Sequence, residues 1–503
     1  MKVYLIGAGP GDPGLLTIRG RDALAEADVV VYDYLASDTL LNYARPDAER
    51  IYVGKKAGNH TLSQSGINRL IVEKAKEGKI VARLKGGDPY IFGRGGEEAE
   101  ELLDAGVPFE EVPGISSTIA GPAYAGIPLT HRSLASSVTL ITGHENPDKA
   151  GSVHNWKALA ASASTLVFVM GMKNLPDIAR NLIAAGLPDD TPAALVHWGT
   201  TARHRSLVST IGELPEAAVA NGFTNPSVIV VGKVVSLHDR LNWFERKPLL
   251  GRSVVVTRAR EQASGLADRL TALGAEVLQF PTIEIRPLTD QSTVDEAVAR
   301  LGSFDWVVFT SANGVSCFWN RLGEAGKDAR AFGGVRVAAI GPATAEALRA
   351  RGIIPDFVPE AYIAESVAQG LVEQGMTGRK VLLARAAVAR DVLPDALRRA
   401  GADVFVLPVY ETVPAHARLD EVMARLKERT LDYVTFGSSS TVDNFFASIS
   451  EELVRESRVR LACIGPVTAK TLGEHGFEAD VMPNSFTIPA LVDAVVGDIG
   501  EKA

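Results

Sequence analysis

Three short glycine-bearing loops carry the residues whose types and spacing could hold a small polar ligand. Gly86-Gly87-Asp88-Pro89 follows the strand-like run IVARLK. Paired glycines let a ligand approach the main chain, and the proline fixes φ after the aspartate. The Asp88 carboxylate can accept hydrogen bonds from a ribose or an amino group; the competing role is a capped turn. AGPGDPG (8–14) follows VYLIG and invites a dinucleotide reading. Asp12, however, stands at the third glycine position of GxGxxG, and Pro10 and Pro13 remove donors that would cradle a pyrophosphate. ISSTIAG (115–121), with Ser116 and Ser117, follows FEEVPG, while Met170 ends TLVFVM and Gly199 follows AALVHW. If these strands are mainly parallel, their C-terminal ends share one edge, where open α/β sheets bind ligands.

The second half offers a different set. It has no nucleophile elbow, no catalytic-triad spacing and no carboxylate pair. Its loops are hydroxyl-rich instead: Ser311-Ala312-Asn313, Thr344, Ser438-Ser439-Ser440 and Thr468. At helix N-termini such residues serve as caps, and the free N–H groups beside them suit carboxylate capture.

The elements that must position these residues are legible as alternation. Short β-branched runs alternate with amphipathic Ala/Leu/Glu-rich segments throughout, an α/β pattern. The last apolar strand of the first half is expected over 227–235, and a seam lies near 236–250. Beyond it the chain repeats itself. GRSVVVTRAR from Gly251 answers GRKVLLARAA from Gly378, and FDWVVFTSANGV answers LDYVTFGSSSTV, both at an offset of 127. AAIGPATAEAL answers ACIGPVTAKTL at an offset of 124. Two copies make a two-lobed protein with a cleft. FPTIEIRP (280–287) and LPVYETVP (407–414) are equivalent and read as paired crossing linkers. The expected organisation is a first domain over 1–245, a linker over 246–250, and a duplicated domain over 251–500. The latter divides into a discontinuous lobe one (251–279 and 415–500) and a lobe two (288–406).

Composition narrows the classes. With 503 residues and a net charge of -8, the chain lacks the basic excess of a nucleic-acid module. Cys317 and Cys463 are the only cysteines, so neither a disulfide framework nor a thiolate metal site is expected. The histidines show no zinc spacing. No apolar run reaches the ~18 residues of a membrane span, and MKVYLIGAGP reads as a strand and turn, not a leader. A cytoplasmic enzyme without metal is the expectation.

AGPGDPGLLTIRG, VVVYDYLAS, VGKKAG, RLKGGDPYIFGRGGEE, VPGISS, GIPLTHR and VFVMG, in this order, resemble the uroporphyrinogen-III C-methyltransferases among the tetrapyrrole methylases. The likeness covers 1–245 almost continuously. It implies a two-domain methylase fold and S-adenosyl-L-methionine as methyl donor, held by Pro10, Gly86, Gly87, Asp88, Ile91, Ser116, Ser117, Met170 and Gly199. It implies Asp33 as proton acceptor and Lys55 as proton donor; unaided, the two read as a helix cap and a solvated lysine. The family often has Thr-Ala where this chain has Ser116-Ser117, and Val169 replaces a common Tyr. The implied acceptor is carboxylate-rich, so the crevice rim should be basic, with Lys56, Arg83, Arg94, His131 and Arg132 available.

Residues 250–495 resemble uroporphyrinogen-III synthase, carried best by the duplicated GP-x-TA elements and VYET. That implies bilane binding between the lobes, with Tyr410 as leading acid. Arg258, Ser311, Asn313, Thr344, Ser438, Ser439 and Thr468 join Arg94 and Arg132 as expected substrate contacts. The whole would be a bifunctional enzyme cyclising hydroxymethylbilane and then methylating the product to precorrin-2, on the siroheme/cobalamin branch. A homodimer through the first half is the family's expectation. The rival is another tetrapyrrole methylase fused to a non-enzymatic two-lobed binding module.

Overall fold

A computed structural model of the chain describes residues 1–33, 38–54, 62–144, 154–162, 164–257, 260–361, 363–415 and 418–500. It is α/β throughout. The chain forms two compact units: Met1–Val254 with Leu266–Leu278 and Ile488–Ala503, and Val255–Gly265 with Gln279–Thr487. Among the described residues no helix is long and apolar enough to cross a membrane.

The first sheet holds β1 (Lys2–Gly7), β2 (Val29–Tyr32), β3 (Glu49–Tyr52), β4 (Ile80–Lys85) and β5 (Phe109–Val112), in the order β3-β2-β4-β1-β5. All its pairings are parallel. Alternate residues feed two cores. Val3, Leu5 and Val81 pack on one face, Tyr4, Ile6, Ala82 and Leu84 on the other, as a sheet buried on both sides requires. Gly7 is level with Lys85 and Ile6 with Val112. The loops after β1, β4 and β5 therefore leave from one edge.

The second sheet holds β6 (Val138–Thr142), β7 (Thr165–Val169), β8 (Pro192–His197), β9 (Arg205–Thr210) and β10 (Ser227–Val231), in the order β6-β7-β10-β8-β9. It is not mainly parallel. β10 runs antiparallel to both β7 and β8, and β9 antiparallel to β8. Because β7 and β8 both oppose β10, they run the same way, and Met170 and Gly199 still emerge at one edge. β10 stops at Val231, short of the expected Val235, since Gly232 turns the chain at φ +142.

Residues 246–250, expected as a linker, are packed. Leu249 is fully buried and its N–H donates to the Leu273 carbonyl at 3.0 Å. Just before them Phe244 is buried against the rings of Tyr124 at 4.8 Å and His204 at 5.3 Å.

Two sheets follow. One holds β11 (Ser253–Val256), β12 (Glu276–Gln279), β18 (Tyr433–Phe436) and β19 (Arg460–Cys463), ordered β12-β11-β18-β19. The other holds β13 (Ile283–Arg286), β14 (Trp306–Phe309), β15 (Arg336–Ala339), β16 (Lys380–Ala386) and β17 (Asp403–Pro414), ordered β13-β17-β16-β14-β15. The offsets of 127 and 124 map β11, β12, β14 and β15 onto the starts of β16, β17, β18 and β19. Each sheet thus combines the front half of one repeat with the back half of the other. The equivalent segments 280–287 and 407–414 meet antiparallel, Ile283 opposite Pro414 and Arg286 opposite Glu411.

Candidate functional site

The three glycine loops of the first sheet touch main chain to main chain. Gly9 and Gly87, with φ of +76 and +73, exchange N–H···O bonds of 3.2 and 2.8 Å. A Cβ on Gly114 would overlap the Gly87 carbonyl oxygen and lie 2.6 Å from the Gly7 Cα. At Gly114 glycine is required by the closeness of the neighbouring segments, and at Gly9 and Gly87 by the positive φ.

Asp88 is 9% exposed and holds this junction together. One carboxylate oxygen accepts from the N–H groups of Tyr90 (2.8 Å) and Ile91 (3.0 Å), the other from Gly114 (3.0 Å). The capped-turn role is therefore occupied, leaving only residual lone-pair capacity for a ligand. Ser116 is likewise a cap: its Oγ accepts from the Thr118 N–H at 3.3 Å, and Ser117 opens the helix Ser117–Tyr124. Gly199 faces that helix, where a Cβ would come 2.8 Å from the Gly121 Cα.

Five non-glycine residues on these loops lie at positive φ: Phe92, Arg94, Met170, Trp198 and Thr200. Such backbone costs about 1–3 kcal/mol per residue and persists where surrounding structure over-determines it, most often at functional sites. Ile91, Phe92, Ile115, Ile119 and Met170 also leave apolar side chains exposed. Pro10 is half-buried in the loop whose Asp12 N–H donates to the Thr200 Oγ1 at 3.1 Å.

Beneath this edge lies a buried charge network. Arg83 donates to the Asp33 carboxylate at 3.0 Å and approaches Glu98 at 3.4 Å. Lys85 donates to the same Glu98 oxygen at 2.8 Å. Burial, then the neighbouring Arg83 charge, pulls the Lys85 ammonium below the usual lysine range. Arg83 is 3% exposed and spent on this network, so it is not a rim cation. Arg94 is exposed but clamped bidentately by Glu97 at 2.9 and 2.6 Å. His131 and Arg132 are exposed on a turn closed by the His131–Ala135 bridge. Lys55, Lys56 and Arg258 lie outside the described residues.

In the duplicated half, Ser311 and Ser438 cap equivalent helices with nearly the same backbone (φ/ψ −163/156 and −169/162). The Ser311 Oγ accepts from the Gly314 N–H at 2.9 Å and shares a 3.0 Å hydrogen bond with the Tyr410 hydroxyl. Burial raises the Tyr410 pKa, and the Ser311 bond only partly offsets this. Asn313 is half-buried one residue into that helix. Ser438 instead pairs with the Ser440 hydroxyl at 3.0 Å, and Ser439 donates to the Val467 carbonyl at 3.3 Å. Thr344 and Thr468 are buried (3% and 4% exposed), because each shares a helical stripe with a core leucine, Leu348 or Leu472. Arg385, the repeat counterpart of Arg258, is buried at the end of β16 and pairs with Asp391 at 2.9 Å. It was missed in the sequence, although the repeat register pointed to it.

Residues 2–215 match the family described as tetrapyrrole (corrin/porphyrin) methylases, and residues 264–493 that of uroporphyrinogen-III synthase HemD. The porphyrin biosynthesis protein HemD of Ruminiclostridium josui is 39% identical over 496 residues, 98% of this chain and 97% of that one. A uroporphyrinogen-III C-methyltransferase of Bacillus subtilis (strain 168) is 51% identical over 244 residues, 48% of this chain and 95% of that one. The crystal structure of uroporphyrin III C-methyltransferase from Thermus thermophilus shares 37% identity over 47% of this chain and 94% of its own, with a TM-score of 0.41.

Proposed function

We propose a division of labour on one premise: the chain belongs to the family that joins a tetrapyrrole methylase to a uroporphyrinogen-III synthase. The second half cyclises hydroxymethylbilane to uroporphyrinogen III with inversion of the last pyrrole. The first half then places two methyl groups on pyrrole carbons, giving precorrin-2 for the siroheme/cobalamin branch.

The observation that carries the first step is the backbone-built junction of the loops at Gly9, Gly87 and Gly114. It supports a polar methyl donor bound along the main chain at this edge. S-adenosyl-L-methionine supplies the sulfonium methyl when bound. Pro10, Gly86, Gly87, Asp88, Ile91, Ser116, Ser117, Met170 and Gly199 are the residues that would hold it, Asp88 and Ser116 chiefly by shaping the loops.

Asp33 receives the proton lost as the methylated ring tautomerises, and the Arg83 guanidinium 3.0 Å away orients it. Lys55 returns a proton. The exposed Arg132 meets substrate carboxylates, as does Arg94 once it leaves Glu97. Positioning supplies most of the rate.

In the second half Tyr410, a phenol whose pKa burial raises, donates to the departing hydroxyl of the bilane. Ser311 orients Tyr410, and Asn313, Ser438, Ser439 and Arg258 receive carboxylates; Thr344 and Thr468 support the helix ends that do so. A dimer through the first half completes the reading, which involves small tetrapyrroles and no nucleic acid.

The test is a single incubation with hydroxymethylbilane and labelled S-adenosyl-L-methionine. The expected product is a type III tetrapyrrole with two labelled methyl groups. Unlabelled type III product would remove the methylation step, and type I isomer alone would remove the synthase step.

A further inference from the structure

The first glycine loop is pinned at one end by the Gly9–Gly87 bonds and at the other by the turn Pro13–Leu15, whose Leu15 N–H donates to the Asp12 carbonyl at 3.0 Å. Gly9 and Gly11 both lie at positive φ (+76 and +145), and Pro10 and Pro13 donate nothing. Asp12 is its tether. One carboxylate oxygen accepts from the Gly14 N–H at 2.8 Å, and the Asp12 N–H reaches Thr200. The other oxygen accepts from the Tyr124 hydroxyl at 2.7 Å, across 112 residues of sequence.

Tyr124 is itself fixed. It ends the helix that Ser116 caps, and its ring packs on Trp243 (5.0 Å) and Phe244 (4.8 Å). The Trp243 indole N–H donates to the Ala123 carbonyl at 3.3 Å. Gly126 lies so close to the same segment that a Cβ there would come 2.6 Å from the Asn242 Cα. The aromatic buttress comes from residues beyond the methylase match, which ends at 215. Burial, then the Asp12 carboxylate, raises the Tyr124 pKa, so its hydroxyl stays a donor through neutral pH.

We propose that Tyr124 is a positioning residue for methyl transfer, setting the Gly9–Leu15 loop through Asp12 while Trp243 and Phe244 hold its ring in place. This rests on reading the glycine junction as the methyl-donor site. Tyr124 does not touch the reacting atoms. Its part is to fix Asp12, which joins the two ends of that loop to the Ser117–Tyr124 helix, so its loss should weaken donor binding while leaving the chemistry of bound substrates intact.

The test uses the full chain and Tyr124→Phe, which keeps the ring on Trp243 and Phe244 and removes only the donor. The dissociation constant for S-adenosylhomocysteine and the KM for S-adenosyl-L-methionine should both rise about tenfold or more, from the lower end of what a hydrogen bond to a charged group is worth. The kcat should stay within about twofold, hydroxymethylbilane cyclisation should not move, and the unfolding midpoint should fall only by the few degrees that one lost hydrogen bond costs. Unchanged binding would overturn the proposal, as would parallel losses of kcat and thermal stability. Asp12→Asn and the double variant close a cycle that holds even if one single variant is damaged: the double should bind no worse than the weaker single. Multiplying effects would show two unrelated sites and overturn the proposal. Wild-type protein that failed to bind S-adenosylhomocysteine would instead remove the donor-site reading, and this role with it.

Discussion

The two halves build their sites in opposite ways. The first uses main chain: three loops meet at glycines so closely that a methyl group at Gly114 has no room. The second uses helix caps and does so twice, with Ser311 and Ser438 in the same backbone conformation. The two caps differ in what else they meet. Ser311 meets the Tyr410 hydroxyl, whereas Ser438 meets another serine. The residue 127 before Tyr410 is Ile283, which offers no hydroxyl. The duplicated fold keeps the serine cap in both copies and has the buried tyrosine in one.

That contrast can be broken most sharply at Gly114. Gly114→Ala should abolish detectable methyl transfer and cost about 3 kcal/mol of stability, the upper end for overpacking. Cyclisation of hydroxymethylbilane should survive it. Methylation by a well-folded variant, followed with labelled donor, would refute a backbone-built site.

Acid should separate the halves next. Glu245 lies near the end of the first half with its pKa down at about 2. Burial alone would raise it, but contacts from His204, Ser206 and Asn242 outweigh that. Its folded pKa is below the unfolded value of about 4.3. The stabilisation is therefore complete above that value and lost as pH falls toward about 2. Denaturant titrations from pH 6 to pH 3 should show wild-type stability falling more steeply than that of Glu245→Gln. Equal slopes would mean that the carboxylate contributes nothing.

The smallest effect belongs to the second half. Tyr410→Phe should slow cyclisation about tenfold, below the usual yield of general acid catalysis, because chain folding does most of the work. The product should remain isomer III and the melting temperature should hold. A change of isomer would make Tyr410 a director of ring inversion.

Much of this was legible in the sequence. The repeat offsets reappear as strand starts, 306 against 433 and 336 against 460, because register is fixed by the apolar pattern. Strand direction in the second sheet was not legible, since an antiparallel β10 reads like any buried apolar run. Nor was the positive φ at Met170, Trp198 and Thr200, which tertiary contacts impose on residues that do not favour it. Arg83 was misplaced as a rim cation for a different reason. It and Lys85 share the face of Val81, and Glu98 falls on the buried stripe of Gly95, Ala99 and Leu102 in the covering helix. Both periodicities were present, and together they place a buried carboxylate where two cations must answer it.

The exchange of halves between the two repeats sets a timetable for the newborn chain. The sheet built on β16 and β17 has all its strands once residue 414 has left the ribosome. β11, by contrast, waits for β18; the Thr257 hydroxyl donates to the Thr435 carbonyl 178 residues later. At ~5–20 residues per second that interval is roughly ten to thirty-five seconds of synthesis. Throughout it an apolar strand stands with an unpaired edge, the kind of surface that seeds aggregation. Leu266–Leu278 belongs to the compact unit of the already finished first half. The other edge of β11 is covered early, by β12, the next strand to be made.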